Sequence, residues 1–276
     1  MPRRAAVACE GDDAAPGEPR GHDWMIPLRD DVPASRPPIV TRAIVVACSL
    51  AFVLQLGDPQ GDLVERYGMV PARVLDPDVT HVVHGPRGQL VLRIGEAGVP
   101  DWLTLLSCTF LHGGWLHFLG NMLFLWIFGD NVEDRFGRLR FLLFYLGCGA
   151  AASAAHLLAQ PDSPVPTIGA SGAIAGVMGA YLLLYPRARV QMLFVFGFFA
   201  DVIVLPAAFF LVYWFVLQLV QGSLDSGSGA GVAWWAHIGG FVVGAIVAAG
   251  LRAGEWLRPD PPHVVLTRRR YGRAPW

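Results

Sequence analysis

Long stretches of this chain carry no charged side chain. Residues 103–129 have none, and neither do residues 203–220. In hydrocarbon the backbone must satisfy its own hydrogen bonds, so only helices and closed barrels can cross a membrane. A crossing helix needs about 20 mostly apolar residues. Six segments meet or approach that requirement, at about 39–56, 112–129, 141–159, 166–185, 203–220 and 232–251. The expectation is an all-α membrane protein built as a six-transmembrane-helix bundle. A seventh apolar run, residues 190–200, is too short to span and reads as an interfacial or re-entrant piece ended by Asp201.

Composition agrees with this. Of 276 residues, 54% are hydrophobic and only 16% are charged, where a soluble domain would carry about 25%. Mean hydropathy is +0.45. The net charge of -1 gives no electrostatic reason to expect a nucleic-acid partner. Every basic residue is Arg, a composition typical of a GC-rich genome. The four cysteines (Cys9, Cys48, Cys108 and Cys148) show no metal-ligand spacing and read as buried small hydrophobes. Nothing in the sequence calls for a cofactor or a metal.

The first 40 residues contain no apolar core of a cleavable signal peptide. Residues 1–24 are polar and rich in Ala, Gly and Pro, the composition of a disordered tail. Organised sequence begins at Met25, itself a candidate start, and runs to about residue 255. A basic tail, 256–276, follows.

Arginine placement orients the bundle, because short cytoplasmic loops collect positive charge. Arg135, Arg138 and Arg140 follow the second span, Arg187 and Arg189 follow the fourth, and the C-terminal tail adds more. The short loops at 160–165 and 221–231 have no Arg. Both termini are thus expected in the cytoplasm, with the long loop at 57–102 outside. That loop has a Pro/Gly-punctuated stretch at 81–94 that suggests a small hairpin.

This orientation brings particular residues to one depth. Spans two, four and six all run from outside to inside. His112 and His117 lie early in the second, Ser171 early in the fourth and His237 early in the sixth. With a rise of about 1.5 Å per residue, Ser171 and His237 both fall roughly 8 Å below the outer boundary. Serine becomes a nucleophile when a base takes its proton, and histidine is the usual base. Glycines at 172, 176, 179, 240 and 244 form small faces that let membrane helices touch. His117 and Asn121 share one helical face at i, i+4. With the Ser171 backbone N–H, at a helix start, they could line a pocket for a developing oxyanion.

The chain resembles the rhomboid family of intramembrane serine proteases. The resemblance covers residues 25–255 and rests on His112-x4-His117-x3-Asn121, followed by Gly129 and Glu133. It continues with Gly169-Ala170-Ser171-Gly172 and with Ala236-His237-x2-Gly240-x3-Gly244. Residues 26–30, Trp214 and Gln218 also fit the pattern. The resemblance implies a six-helix rhomboid-like core with a Ser171–His237 catalytic dyad and no third acid. It implies an oxyanion site that includes His117 and Asn121, supported by His112, Gly169, Gly172, Gly240 and Gly244. Implied partners are single-span or polytopic membrane-protein substrates within a lipid bilayer, cut near their outer ends. The fifth span and the Gly/Ser-rich residues 222–231 would gate lateral access. A bacterial inner membrane is the expected location; the oligomeric state is left open. In one departure, some members place an aromatic four residues after the serine, beneath the imidazole. Ala175 stands there, so something else must hold His237.

Each of these residues alone has a blander reading. Ser171 would be a helix cap, Asn121 interhelical glue, and the histidines buried structural groups. Their convergence at one depth favours the chemical reading. A catalytically silent rhomboid-like protein that binds membrane helices is the alternative, and retention of both Ser171 and His237 argues against it. A channel or transporter would place charges mid-span, and the central thirds of all six spans have none.

Overall fold

The computed structural model describes residues 24–78, 80–85, 88–93, 95–196, 199–225 and 232–259. Strand β1 (Trp24–Asp30) leads to helix α1 (Ile39–Leu56). Short helices α2 (Asp62–Tyr67) and α3 (Pro71–Leu75), a hairpin of β2 (Thr80–Gly85) and β3 (Gly88–Arg93), and α4 (Thr104–Ser107) follow. Then come α5 (Trp115–Phe136), α6 (Arg138–Ala159) and α7 (Ser171–Leu184). The chain continues through β4 (Arg189–Phe196) and β5 (Phe199–Pro206) to α8 (Ala207–Leu224) and α9 (Trp234–Ala253).

Among the described residues, α1, α6, α8 and α9 are long and apolar enough to cross a membrane. Helix α7 is apolar but has only 14 residues. Helix α5 is long, but its last seven residues include Asp130, Glu133, Asp134 and Arg135. The chain is therefore mostly helical and built to cross the membrane several times.

The boundaries depart from the sequence expectation. The second span begins at Trp115 rather than 112, because Gly114, at φ 150, turns the chain just before the helix. It ends at Phe136 rather than 129, because its polar end is paired. Glu133 Oε1 accepts from the Val40 N–H at 3.0 Å. Its Oε2 accepts from the Thr41 N–H and hydroxyl, both at 2.8 Å. Pro37 and Pro38 lead into α1, and Glu133 supplies acceptors to its otherwise unsatisfied first amides. The fourth span is helical only from Ser171. Before it, Thr167 pairs with Met69 as an isolated β-bridge.

The all-α expectation also needs correction. The run read as interfacial or re-entrant is strand β4, and the start of the expected fifth span is strand β5. That helix begins at Ala207. The sheet order is β1-β4-β5, antiparallel throughout. Asp201 lies within β5, opposite Phe194. Along β4, Val190 and Met192 are buried while Gln191 and Leu193 are half-buried, the alternation of a strand with one face on the core. The predicted hairpin at 81–94 is present as β2 and β3, paired from Thr80↔Arg93 to Gly85↔Gly88. Residues 1–23, 226–231 and 260–276, which hold most of both expected tails and part of the expected gate, lie outside the described residues.

Glycine governs how the helices pack. A Cβ on Gly240 would overlap the Gly172 carbonyl, one on Gly244 the Gly176 carbonyl, and one on Gly179 the Phe241 carbonyl. Helices α7 and α9 therefore meet backbone to backbone. Helix α6 joins them with small side chains: Ala152 packs on Gly172, Cys148 on Gly176 and Ala155 on Gly239. Hydrocarbon offers little hydrophobic drive between helices, so such close packing has to hold them.

Polar anchors secure both ends. Asp30, the last residue of β1, accepts hydrogen bonds from Asn131 Nδ2 of α5 at 2.7 Å and from the Tyr181 hydroxyl of α7. In the 57–102 loop, Arg73 is 2% exposed. It donates to Asp101 Oδ1 and to the carbonyls of Glu65, Gly95 and Gly68, all within 2.9 Å. That ties α2, α3 and the approach to α4 into one unit.

Two outcomes test this account. Gly244→Val should cost about 1–3 kcal/mol through overpacking, seen as a lower Tm for the detergent-solubilised protein. Burial pushes the Asp30 carboxyl from its ordinary 3.8 up to about 7, against the lowering effect of the Tyr181 hydrogen bond. Folding thus takes up a proton at Asp30 between those values. Its contribution to stability is full below about pH 4 and is lost as pH rises through 7. Thermal unfolding of Asp30→Asn should therefore be less pH-dependent from pH 4 to 8 than that of wild type.

Candidate active site

Ser171 is the first residue of α7, so its N–H has no acceptor within the helix. The approach to it is held at three points. Met69 and Thr167 exchange hydrogen bonds of 3.1 and 2.7 Å, and the Gly169 N–H donates to the Cys108 carbonyl at 2.9 Å. Gly169 has φ +129, which disfavours any side chain, and a Cβ there would come within 2.8 Å of the His117 ring. The glycine thus permits the turn into α7 and lets His117 approach.

His237 lies one turn into α9. Its Nε2 is 2.8 Å from Ser171 Oγ. Its Nδ1 is 2.7 Å from Oε1 of Gln218 on α8. His237 and Gln218 are 8% and 5% exposed. The Trp214 ring, one turn before Gln218, sits 5.6 Å from the imidazole, and the Trp234 ring meets it edge-on at 6.3 Å. Ala175 is fully buried in the core. The contacts to His237 that take the place of an aromatic at 175 come from α8 and from the start of α9.

Of the other candidates, His117 reaches the turn before Ser171, where its ring lies against Gly169. His117 Nδ1 accepts from the Gly113 N–H at 3.3 Å. A neutral imidazole that accepts at Nδ1 carries its proton on Nε2, and that nitrogen faces Gly169. Asn121, one turn further along α5, is 7% exposed, and its Nδ2 has no hydrogen-bond partner. His112 lies behind His117, ring centroids 5.4 Å apart, against Phe118 and Phe52. Gln55 of α1 clamps its backbone, donating to the His112 carbonyl at 3.0 Å and accepting from its N–H at 2.9 Å. His112 is a buried layer beneath the site, and nothing in its contacts brings it to Ser171. Gly172, Gly240 and Gly244 lie at the α7–α9 contact.

His156 is buried on α6 at 6% exposure. Gln218 was visible in the sequence only as part of the family pattern, since nothing local marks which amide will meet a histidine on another helix. Among the described residues, no three His, Cys, Asp or Glu side chains converge as metal ligands would.

These features define a multi-pass membrane protein with a serine and a histidine in hydrogen-bond contact at the start of one helix. A family model, the Rhomboid domain, matches residues 99–254, and the chain belongs to the rhomboid family. It is 34% identical over 172 residues to the rhomboid protease GluP of Bacillus subtilis (strain 168), covering 62% of this chain and 29% of that protein. It is 38% identical over 95 residues to RHOMBOID-like protein 5 of Arabidopsis thaliana, covering 34% and 30%. It is 36% identical over 84 residues to the putative rhomboid protease YdcA of Bacillus subtilis (strain 168), covering 30% and 42%. The matched region spans less than half the length of each of these relatives.

Gly169→Ala should cost about 1–3 kcal/mol, from the strained φ together with the contact to His117. Thermal denaturation of the variant against wild type measures it.

Proposed function

We propose that this protein is an intramembrane serine endopeptidase that cuts transmembrane segments of other membrane proteins near their outer ends. The observation that carries this is the 2.8 Å contact between Ser171 Oγ and Nε2 of the buried His237, made between two helices. Names among its relatives support the same activity.

In this reading His237 Nε2 takes the Ser171 hydroxyl proton as Oγ bonds to the scissile carbonyl carbon. Negative charge collects on the carbonyl oxygen. The Ser171 N–H, His117 Nε2–H and Asn121 Nδ2–H are the donors available to it. The imidazolium then protonates the leaving amide nitrogen and the C–N bond breaks. Water attacks the resulting ester, giving its proton to Nε2, and Oγ leaves with a proton returned. The free amide of Asn121 supports this assignment, because a buried donor without a partner costs about 1–3 kcal/mol and the transition state would satisfy it.

The reading includes six spans, α1 and α5 to α9, with both termini in the cytoplasm and Ser171 near the outer surface. Arg135, Arg138 and Arg140, with Arg187 and Arg189, mark the inner side. Helix α7 is about 21 Å long at 1.5 Å per residue, short of the hydrocarbon thickness, so its Ser171 end would open into a polar cavity reached by water. Substrate helices with Gly or Pro near the cut should react faster, because such residues ease local unwinding. A bacterial inner membrane is the proposed location.

A fluorophosphonate probe should label wild type and leave Ser171→Ala unlabelled. In proteoliposomes, wild type should cut a tagged single-span substrate, while Ser171→Ala and His237→Ala should not. Cutting by both variants would overturn the proposal.

A further inference from the structure

We infer that Gln218 is a positioning residue for the proposed Ser171–His237 pair: its side-chain amide selects the histidine tautomer that can act as base. The inference rests on the serine-endopeptidase reading above. A base that takes a proton at Nε2 must carry its own proton at Nδ1 and keep that proton occupied. The group that does this here is uncharged. Gln218 Oε1 lies 2.7 Å from Nδ1, and its other amide atom, Nε2, donates to the Trp214 carbonyl one turn earlier on α8, at 3.4 Å. That second bond sets which end of the amide faces the imidazole. With the NH2 turned toward Trp214, only the oxygen is left for His237. It accepts from Nδ1–H, so the Nε2 lone pair points at Ser171 Oγ.

Burial adds to the effect. Both side chains are more than nine-tenths buried, so water does not compete for Nδ1, and an unpartnered Nδ1–H would carry its full desolvation cost. The opposite tautomer would set Nε2–H toward the serine and leave Nδ1 facing an oxygen with no proton between them. Gln218 also carries this role on a helix turned mostly outward. The buried residues of α8 are Ala207, Phe210, Leu211, Gln218 and Gly222. Gln218 is thus the polar one of these five. Ser171 and His237 come from α7 and α9, and the orienting group from a third helix.

The test compares Gln218→Leu, Gln218→Glu and the exposed α8 control Gln221→Leu, each in the full chain in proteoliposomes. Cleavage of a tagged single-span substrate and the rate of fluorophosphonate labelling are both measured. Gln218→Leu keeps the side-chain volume but removes the acceptor. Its kcat should fall about 10- to 100-fold with KM little changed, short of the roughly 10⁴-fold drop seen when a charged orienting partner leaves the wrong tautomer. The labelling rate should fall in parallel. Gln218→Glu, which restores an acceptor at the same place, should recover most of the rate. Gln221→Leu should match wild type. Wild-type kcat in Gln218→Leu, a loss confined to KM, or no recovery in Gln218→Glu when its Tm equals that of wild type would each overturn the inference. Failure of wild type itself to label and cleave would overturn the endopeptidase reading instead, so the two outcomes stay distinct.

Discussion

The backbone contact between α7 and α9 is the constraint on which the rest depends. Gly172 and Gly176 offer their carbonyls to a surface where Gly240 and Gly244 have no side chain. Separating these helices by a single methyl group would pull His237 from Ser171 by more than a hydrogen bond tolerates. The alanines of α6 extend the same principle to a third helix. A side-chain contact of 2.8 Å between separate helices therefore rests on residues that contribute no chemistry.

The polar groups outside that contact have a common task. Each satisfies backbone or side-chain atoms that water does not reach. Glu133 caps α1 from α5, Asp30 ties the sheet to α5 and α7, and Arg73 gathers carbonyls from the 57–102 loop. That loop reaches the site through the Met69–Thr167 bridge, just upstream of Ser171. Charges that look out of place in a membrane protein lie where helices begin, end or receive a strand.

Helix existence was legible in the sequence; helix extent was less so. Hydropathy marks apolar length, and it found the stretches that became α1, α6, α8 and α9. It missed the continuation of α5 through Asp130 to Phe136, since partners on other elements make those charges tolerable and hydropathy scores a residue without its partners. It also read β4 as part of an interfacial or re-entrant piece and the end of β5 as the start of the fifth span. Their alternation is hidden because Leu193, Val202 and Val204 are apolar on the more exposed side. Of the candidate site, Ser171, His237, His117 and Asn121 were singled out from spacing and depth, and the structure brings Ser171 and His237 into contact. Gln218 was not assigned a contact, because its meaning depends on the rotation of α8, which local sequence does not encode.

By itself the sequence determined the class of the protein. Apolar length specifies membrane helices, and the order of the motifs specifies the rhomboid family. Only the tertiary structure decided which nitrogen of His237 faces Ser171, what occupies the other, and how the chain between α7 and α8 pairs with β1. These are matters of rotation and register between elements far apart in sequence. They are settled by packing to within an ångström, and the one-dimensional pattern constrains them to no better than a helical turn.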